Sequence, residues 1–106
     1  MKTVNAKTLD VSVLSAFWNE YAQNEIVIKK FSPEKFQSLF FEEYTGVKKV
    51  AVAALDGDKV IGFAAGTHKA GMEVGYITYV LVDKDYRRQK IGKALAEEIE
   101  KMLKDA

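Results

Sequence analysis

The 106-residue chain is predicted to form a single α+β domain, with helices on both faces of a mainly antiparallel sheet. Three observations predict this class. Two helical patterns precede residue 46, strand-like patterns follow it, and a last helical pattern ends the chain. The strand-like part contains Asp56-Gly57 between two apolar runs, which is a strong hairpin signal. The predicted order is one short strand, two helices, three strands and one helix.

Two helices are predicted after a short first strand at residues 3–8. The first helix covers residues 9–23, where apolar residues recur at spacings of three and four. Its stripe consists of Leu9, Val13, Leu14, Phe17, Trp18 and Tyr21. The second begins at Ser32-Pro33-Glu34, because the hydroxyl caps the helix and proline suits its first position. Gly46 is predicted to end it. Its apolar face consists of Phe36, Leu39, Phe40 and Tyr44.

Three strands are predicted after Gly46, over residues 47–55, 59–67 and 75–82. The first of them has apolar side chains on both faces, so it requires a covering layer on each side. The third is rich in aromatic and β-branched residues, which strands favour. His68 follows the second strand and is predicted to be a solvated loop residue rather than a catalytic base.

Composition excludes several classes of function. With 16 basic and 15 acidic residues, the net charge of +1 provides no broad field for nucleic acid or an anionic membrane. The chain has no cysteine, so thiolate catalysis, disulfides and zinc–sulfur sites are excluded. A single histidine excludes a histidine-rich metal site, and no metal is expected. The N-terminus has no secretory signal and the apolar runs are short, so a soluble, cytoplasmic protein is expected.

The last helix is predicted over about residues 89–104, and the segment leading into it carries the chemistry. An apolar strand runs into a polar turn, then basic residues, then a helical turn that contains Gly92. The free N–H groups and the dipole at a helix N-terminus attract anions. Gly92 leaves room for a phosphate to approach the backbone. The cations around this point are Arg87, Arg88, Lys90 and Lys93. The pattern predicts a phosphate cradle; a solvated basic surface is the alternative.

This segment, Arg87-Arg88-Gln89-Lys90-Ile91-Gly92, resembles the acyl-CoA-binding motif of the GNAT superfamily, written Q/R-x-x-G-x-G/A. The preceding stretch from Leu81 to Tyr86 resembles the strand end that comes before that motif. The hairpin and the first helix are also similar to the family's, so the resemblance covers nearly the whole chain. It implies a GNAT-like αβα layered fold. It also implies direct transfer of an acetyl group from acetyl-CoA, as co-substrate, to a primary amine on a small molecule or peptide.

The resemblance further implies roles for individual residues. Backbone groups of the strand would contact the pantetheine arm, and amides from Arg88 to Lys93 would hold the pyrophosphate. The implied cofactor-binding set is Val80, Leu81, Val82, Arg87, Arg88, Gln89, Lys90, Ile91, Gly92 and Lys93. No general base is assigned. Tyr76 is a candidate because it lies near a strand position where some members carry a glutamate. Glu73, at the start of the strand, is a candidate as the nearest carboxylate, with a surface role as its alternative. Thr78 and one aromatic residue of the second helix are candidates to line the acceptor site, with packing in the core as the alternative for each.

The chain departs from the family pattern at two points. Lys90 replaces the first glycine of the motif, and its side chain would either crowd or contact the pyrophosphate. The family fold also continues past the last helix, so the single domain at residues 1–106 is expected to be incomplete at its C-terminus. The strand at 75–82 would then be an apolar edge. We expect a second copy of the chain, as a homodimer, or a C-terminal segment to cover it.

Two other interpretations stay open. A non-catalytic module that binds CoA or dimerises on the same scaffold is favoured by Lys90 and by the lack of an obvious base. An unrelated α+β interaction domain would require the motif to be accidental. Binding of CoA separates the last interpretation from the others, and acetylation of an amine separates an enzyme from a binding module.

Overall fold

The computed structural model describes residues 1–22, 29–71 and 75–105. These residues form a four-stranded sheet and three α-helices, which confirms the α+β class. In chain order the elements are β1 (Lys2–Asn5), α1 (Val11–Ala22), α2 (Pro33–Phe40), β2 (Val47–Asp56), β3 (Lys59–Lys69), β4 (Tyr76–Val82) and α3 (Ile91–Lys104). Short 3₁₀ helices lie at Ala6–Thr8 and Lys84–Tyr86.

The sheet is antiparallel throughout, with strand order β1-β2-β3-β4. β2 and β3 form the predicted hairpin, in which Asp56 pairs with Lys59 and Gly57 has a φ of 61°. This positive φ is what a tight hairpin turn requires, and glycine adopts it without strain. β4 pairs with β3 and forms one edge of the described sheet.

Two layers of helices cover the sheet, as the two apolar faces of β2 predict. Ala51 and Ala53 of β2 pack into a cluster with α1 and α2, whereas Val52 and Ala54 pack with α3. Trp18 is the centre of the first cluster and is 1% exposed. Aromatic rings surround it, with the centroids of Phe31, Phe36, Phe40, Phe63 and Tyr79 at 5.0–6.4 Å.

α3 lies unusually close to the sheet because β3 presents glycines to it. A Cβ atom at Gly62 would lie 2.9 Å from Leu95 Cδ1, and one at Gly66 would lie 2.9 Å from Ile99 Cγ2. Such distances are shorter than carbon atoms tolerate, so a larger residue would push the helix away. The close approach fixes where the N-terminus of α3 sits relative to β4.

The second helix is shorter than predicted. α2 ends at Phe40, not near Gly46, and Tyr44 forms an isolated bridge with Val47 and is 64% exposed. A residue of the next strand caps the last carbonyls of α2: Lys49 Nζ donates to Leu39 O at 2.8 Å and to Ser38 O at 3.3 Å. This contact belongs to the tertiary structure, so local pattern could not predict where the helix ends.

Three other boundaries also differ. β3 runs on to Lys69 because it pairs along the full length of β2, so His68 is a half-buried strand residue opposite Lys48 and not a loop residue. β1 ends at Asn5, whose side chain accepts from the Lys7 amide and caps the 3₁₀ helix that follows. α1 begins at Val11, after Asp10 accepts from the Ser12 amide. Residue 23, the predicted end of that helix, lies outside the described residues.

Candidate functional site

The N-terminus of α3 has no side-chain cap. Lys90 is the N-cap residue, and the first helical bond runs from the Ala94 amide to Lys90 O at 3.1 Å. In an α-helix that begins this way, the amides of the first turn have no acceptor inside the helix. The amides of residues 91–93 are therefore available to an anion, and the helix dipole favours one there. Ile91 itself is 3% exposed and anchors the turn in the core.

The loop before α3 contains two left-handed residues that are not glycine. Arg88 has a φ of 70° and Lys90 a φ of 62°. A residue with a Cβ is disfavoured in this region, by about 1–2 kcal/mol. Lys90 stands at the position of the first motif glycine. The backbone there has a conformation that glycine adopts freely, which explains why the motif carries glycine at this position.

Gly92 places the first turn of α3 against β4. A Cβ atom there would lie 3.7 Å from Val82 Cγ2 and 3.8 Å from Val80 Cγ1. The structure thus brings together the strand and helix residues that the sequence groups as one site. These distances are ordinary contacts, so an alanine also fits, in agreement with the G/A of the motif.

The four cations of this segment divide into two groups. Arg87 is bound to the protein: its Nε donates to Val82 O at 3.3 Å, its Nη2 donates to Tyr21 Oη at 3.3 Å, and its guanidinium lies 5.6 Å from the Tyr21 ring centroid. The side chains of Arg88, Lys90 and Lys93 are exposed and have no hydrogen bond or ion pair to any described residue. We call the amides of residues 91–93 together with these three side chains the cradle.

The turn between β4 and α3 is fastened to the β2–β3 hairpin. The Asp83 amide donates to Ile61 O at 2.8 Å, and Tyr86 Oη donates to Asp56 Oδ2 at 2.8 Å. This hydrogen bond to a carboxylate favours the protonated phenol and raises the pKa of Tyr86 above its ordinary value of 10.0. Both contacts hold the cradle in place without occupying it.

β4 contains a bulge. Tyr79 pairs with Ala65 and Ile77 with Gly66, so Thr78 is an extra residue on the β4 side. The Thr78 hydroxyl donates to Ala65 O at 3.0 Å. A cavity of about 250 Å³, which we call the bulge cavity, opens beside it on the α2 face of the sheet. Its lining consists of Phe31, Leu39, Phe40, Lys49, Ala65, Gly66, Thr67, Thr78 and Tyr79.

A second cavity, of about 310 Å³, lies between α1 and the loop before α3. Charged side chains of both signs line it, including Lys59, Asp83, Asp85 and Arg87. Arg87 forms part of its wall and is held there by Tyr21. The described residues contain no cluster of three or more metal-ligating side chains, and none of their helices has the length and apolar character to cross a membrane.

Residues 12–106 match the sequence profile of the Acetyltransferase (GNAT) family. The chain belongs to this family. No curated protein sequence matches it. The predicted GNAT-like fold is confirmed by solved structures that the chain resembles.

Three solved structures illustrate the similarity of this GNAT chain. An aminoglycoside 6'-N-acetyltransferase complexed with coenzyme A is 21% identical, with a TM-score of 0.67 over 99% of this chain and 56% of that one. An aminoglycoside 6'-acetyltransferase type Ii is 20% identical, with a TM-score of 0.73 over 99% and 65%. The ribosomal-protein-S18-alanine N-acetyltransferase from Escherichia coli is 19% identical, with a TM-score of 0.63 over 96% and 58%. The chain spans 56% to 65% of the length of these three structures.

The predicted cofactor residues of the GNAT chain lie together, with two differences in orientation. Val80 and Val82 face the N-terminus of α3, whereas Leu81 is 2% exposed and packs in the cluster on the opposite face of the sheet. Arg87 turns toward α1, away from α3. Gln89, by contrast, is exposed in the loop beside the cradle.

The two candidate bases have different outcomes. Tyr76 is 41% exposed at the start of β4, where it pairs with Thr67. Glu73 lies outside the described residues. Neither is placed in a catalytic contact by the described part of the chain, and both stay predictions.

Sequence reasoning missed several residues of the bulge cavity. Phe31, Lys49, Thr67 and Tyr79 were not singled out as site residues. One signal was present for Lys49, because the alternation of a strand places it on the same face as Ala51 and Ala53. No sequence signal marks the bulge at Thr78. Of the aromatic residues of the second helix, Phe40 lines the cavity and also packs in the core, and its predicted role at an acceptor site stays a prediction.

Proposed function

We propose that this chain is the acetyl-CoA-binding part of an N-acetyltransferase that acetylates a primary amine. The observation that carries the proposal is the contact of the α3 N-terminus with β4, measured at Gly92 against Val80 and Val82. It joins a row of free amides to an apolar strand, which suits a molecule with a pyrophosphate and a flexible arm. One of the similar structures, an aminoglycoside 6'-N-acetyltransferase, is complexed with coenzyme A, which supports this choice.

The residues of the cradle fit the pyrophosphate of acetyl-CoA. Anions bind at free helix-terminal amides, and the unpaired cations of Arg88, Lys90 and Lys93 reduce the repulsion between phosphates. Val80 and Val82 offer an apolar strip beside the cradle for the pantetheine arm. When bound, acetyl-CoA would supply an activated thioester: the C–S bond breaks as the amine nitrogen takes the acetyl group and loses a proton, and CoA leaves as the free thiol.

The bulge cavity is proposed as the site of the amine. It lies on the α2 face of β4, whereas the cradle lies on the α3 face. Because β4 is an edge strand of the described sheet, the two faces meet along its outer edge. The bulge interrupts the ladder at Thr78, so backbone groups there are available to orient a carbonyl. Tyr76 and Glu73 remain the candidates to accept the amine's proton.

The outer edge of β4 is proposed to be covered, in a cytoplasmic protein, by a second copy of the chain or by a segment beyond residue 106. Three large side chains are exposed along it, with Tyr76 at 41%, Tyr79 at 43% and Val80 at 39%. Long apolar edges promote pairing with other chains. Sedimentation velocity tests this: self-association is expected for the 106-residue chain, and a soluble monomer at high concentration would contradict it.

Calorimetric titration with acetyl-CoA tests the cradle. The wild-type chain is expected to bind, Gly92→Glu to lose binding through repulsion of the phosphates, and Gly92→Gln to retain more of it. Glutamine matches glutamate in size, so the difference between the two variants measures charge alone. Equal affinities of Gly92→Glu and the wild-type chain would place the cofactor elsewhere.

A turnover assay with an amine panel separates the enzyme from the alternative. A non-catalytic CoA-binding or dimerisation module is favoured by Lys90 in place of glycine and by the lack of an assigned base. Release of free CoA in the presence of an amine supports catalysis. Binding of acetyl-CoA with no acetylated product from any amine, in a longer protein as well as in this chain, would favour the module.

A further inference from the structure

We infer that the bulge cavity selects a primary amine carried on one apolar, ring-sized body that bears no second positive charge. The inference rests on the proposed function, in which this cavity receives the amine, and it names the class of acceptor. It follows from the shape, the polarity and the charge of the lining.

The walls of the bulge cavity are mostly aromatic and aliphatic. Phe31, Phe40 and Tyr79 contribute rings, and Leu39 forms part of the wall while remaining 38% exposed. Trp18 backs the three rings, with centroid distances of 5.6 Å, 5.0 Å and 5.0 Å. Rings packed at such distances hold each other in place, so the walls are preformed for an apolar ligand.

The volume of about 250 Å³ limits the size of the occupant. Small-molecule pockets typically enclose about 300–1,000 Å³, so this cavity of about 250 Å³ is slightly smaller than that range. One aromatic ring or a branched aliphatic group with a short amine-bearing chain suits it. An acceptor built from several rings would leave most of its surface outside.

The charge of the lining disfavours a polycation. Among the described lining residues, Lys49 is the basic one, and none carries a carboxylate. Its ammonium is fixed by the carbonyls of Leu39 at 2.8 Å and Ser38 at 3.3 Å. A second ammonium on the acceptor would meet this fixed cation on apolar walls, and the described lining residues carry no carboxylate to offset the lost hydration.

The carboxylate that follows α2 is already engaged. Glu43 Oε2 accepts from the Lys49 amide at 2.8 Å and lies 3.6 Å from Lys7 Nζ, and Glu43 Oε1 lies 3.7 Å from Lys48 Nζ. Its charge is therefore matched by three donors. An acceptor whose far end is neutral or carries a carboxylate meets no such conflict with Lys49.

The hydroxyl groups of the bulge cavity lie on its β3 and β4 wall. The Thr78 hydroxyl uses its proton on Ala65 O at 3.0 Å, so its oxygen presents lone pairs that accept a hydrogen bond from an amine. Thr67 adds a second hydroxyl on the neighbouring strand. An acceptor with its amine at these hydroxyls and its apolar body among the rings satisfies both ends.

Binding is measured first, without chemistry, through the single tryptophan of the chain. Trp18 contacts three rings of the lining, so occupation of the cavity changes its fluorescence. Two matched probes are titrated: para-methylbenzylamine, with one amine, and para-xylylenediamine, which has the same ring with an amine at each end. We expect the monoamine to bind at least about tenfold more tightly. Ethylamine, which lacks the ring, is expected to produce no saturable change.

A pair of variants at the half-exposed Leu39 tests the charge argument. Leu39→Glu introduces a carboxylate into the wall and is expected to reduce or reverse the preference for the monoamine. Leu39→Gln introduces a neutral side chain of the same size as glutamate. It is expected to weaken the binding of both probes while the monoamine still binds more tightly than the diamine. Thermal unfolding of both variants checks that they fold.

The outcomes separate this inference from the proposed function. Equal binding of the two probes, tighter binding of the diamine, or no change of Trp18 fluorescence with either would overturn the inference. If the monoamine binds as expected but acetyl-CoA is not consumed in its presence, the proposed function fails while the selectivity of the cavity stands. If an amine with several charges is acetylated and the monoamine is not, the inferred selectivity of the cavity fails while the proposed function stands.

Discussion

Arg87 donates a hydrogen bond to the hydroxyl of Tyr21 at 3.3 Å while its guanidinium lies 5.6 Å from the centre of the same ring. The contact ties the loop before α3 to α1, which packs on the opposite face of the sheet from α3. Arg87, one of the four cations of the proposed phosphate-binding segment, therefore has a partner within the protein, whereas the side chains of Arg88, Lys90 and Lys93 have none among the described residues.

Arg87 and Arg88 are expected to respond differently to removal. Arg88 has no described partner, so Arg88→Ala is expected to weaken acetyl-CoA binding by about fivefold, as loss of an exposed charge contact of ~1 kcal/mol would, and more at low salt. Arg87→Ala loses two hydrogen bonds and is expected to lower the free energy of unfolding by about 1 kcal/mol. Calorimetry and urea unfolding measure the two effects. Arg88→Lys keeps the charge as a control. A large loss of affinity in Arg87→Ala at unchanged stability would contradict this division.

Replacing Lys90 with glycine is expected to stabilise the protein. The left-handed conformation destabilises a residue with a Cβ by about 1–2 kcal/mol, and glycine removes this cost. The greater freedom of glycine in the unfolded chain cancels about 0.4–1 kcal/mol of that stabilisation. A net increase of about 0.5–1 kcal/mol in the free energy of unfolding follows. Lys90→Ala removes the same charge but keeps the unfavourable φ, so it should not stabilise. Equal stability of the two variants would show that charge, not conformation, governs this position.

Two glycine-to-alanine changes are expected to have opposite signs. A Cβ at Gly66 would lie 2.9 Å from Ile99 Cγ2 and 3.2 Å from Tyr76 O, so Gly66→Ala is expected to lower the free energy of unfolding by about 1–3 kcal/mol. Gly92 has helical geometry and room for a methyl group, so Gly92→Ala is expected to add about 0.5–1 kcal/mol. Thermal or urea unfolding of both variants provides the comparison. A neutral Gly66→Ala would mean that α3 moves away at little cost.

Stability is expected to decline in acid partly through Glu43. The hydrogen bond from the Lys49 amide, with the charges of Lys7 and Lys48, lowers the pKa of Glu43 below its ordinary value of 4.5, against a smaller opposing effect of burial. A lowered folded-state pKa stabilises the fold above the unfolded value, and this contribution is lost as pH falls from 4.5 through the folded value. Glu43→Gln is therefore expected to show a shallower decline between about pH 5 and 3 in urea unfolding.

Asp10 provides the internal check on that experiment. Hydrogen bonds from the Ser12 hydroxyl and amide lower its pKa below 3.8, so it loses stabilisation at still lower pH. It remains in Glu43→Gln, and a residual decline below pH 3.8 should persist. An acid profile identical to that of the wild-type chain would mean that Glu43 contributes nothing.

Local chemistry made much of the fold predictable. Asp56-Gly57 predicts a hairpin because a tight turn needs a positive φ, and Gly57 has one. The two apolar faces of β2 predict helices on both sides, because each face needs cover. The stripe that includes Leu95 and Ile99 predicts the buried face of α3. In each case the signal and the structure depend on residues close together in the chain.

The sequence alone determined the fold class, the hairpin, the helices on both faces of the sheet and the presence of α3 after the motif, because periodicity and turn chemistry act over a few residues; α3 itself begins at Ile91, two residues later than predicted. Only the tertiary structure decided that α2 ends at Phe40, that Thr78 bulges out of β4 and that Arg87 turns to Tyr21. It also decided that Lys49 closes the wall of an apolar cavity. Each of these depends on groups that are distant in sequence and meet only when the sheet and helices pack.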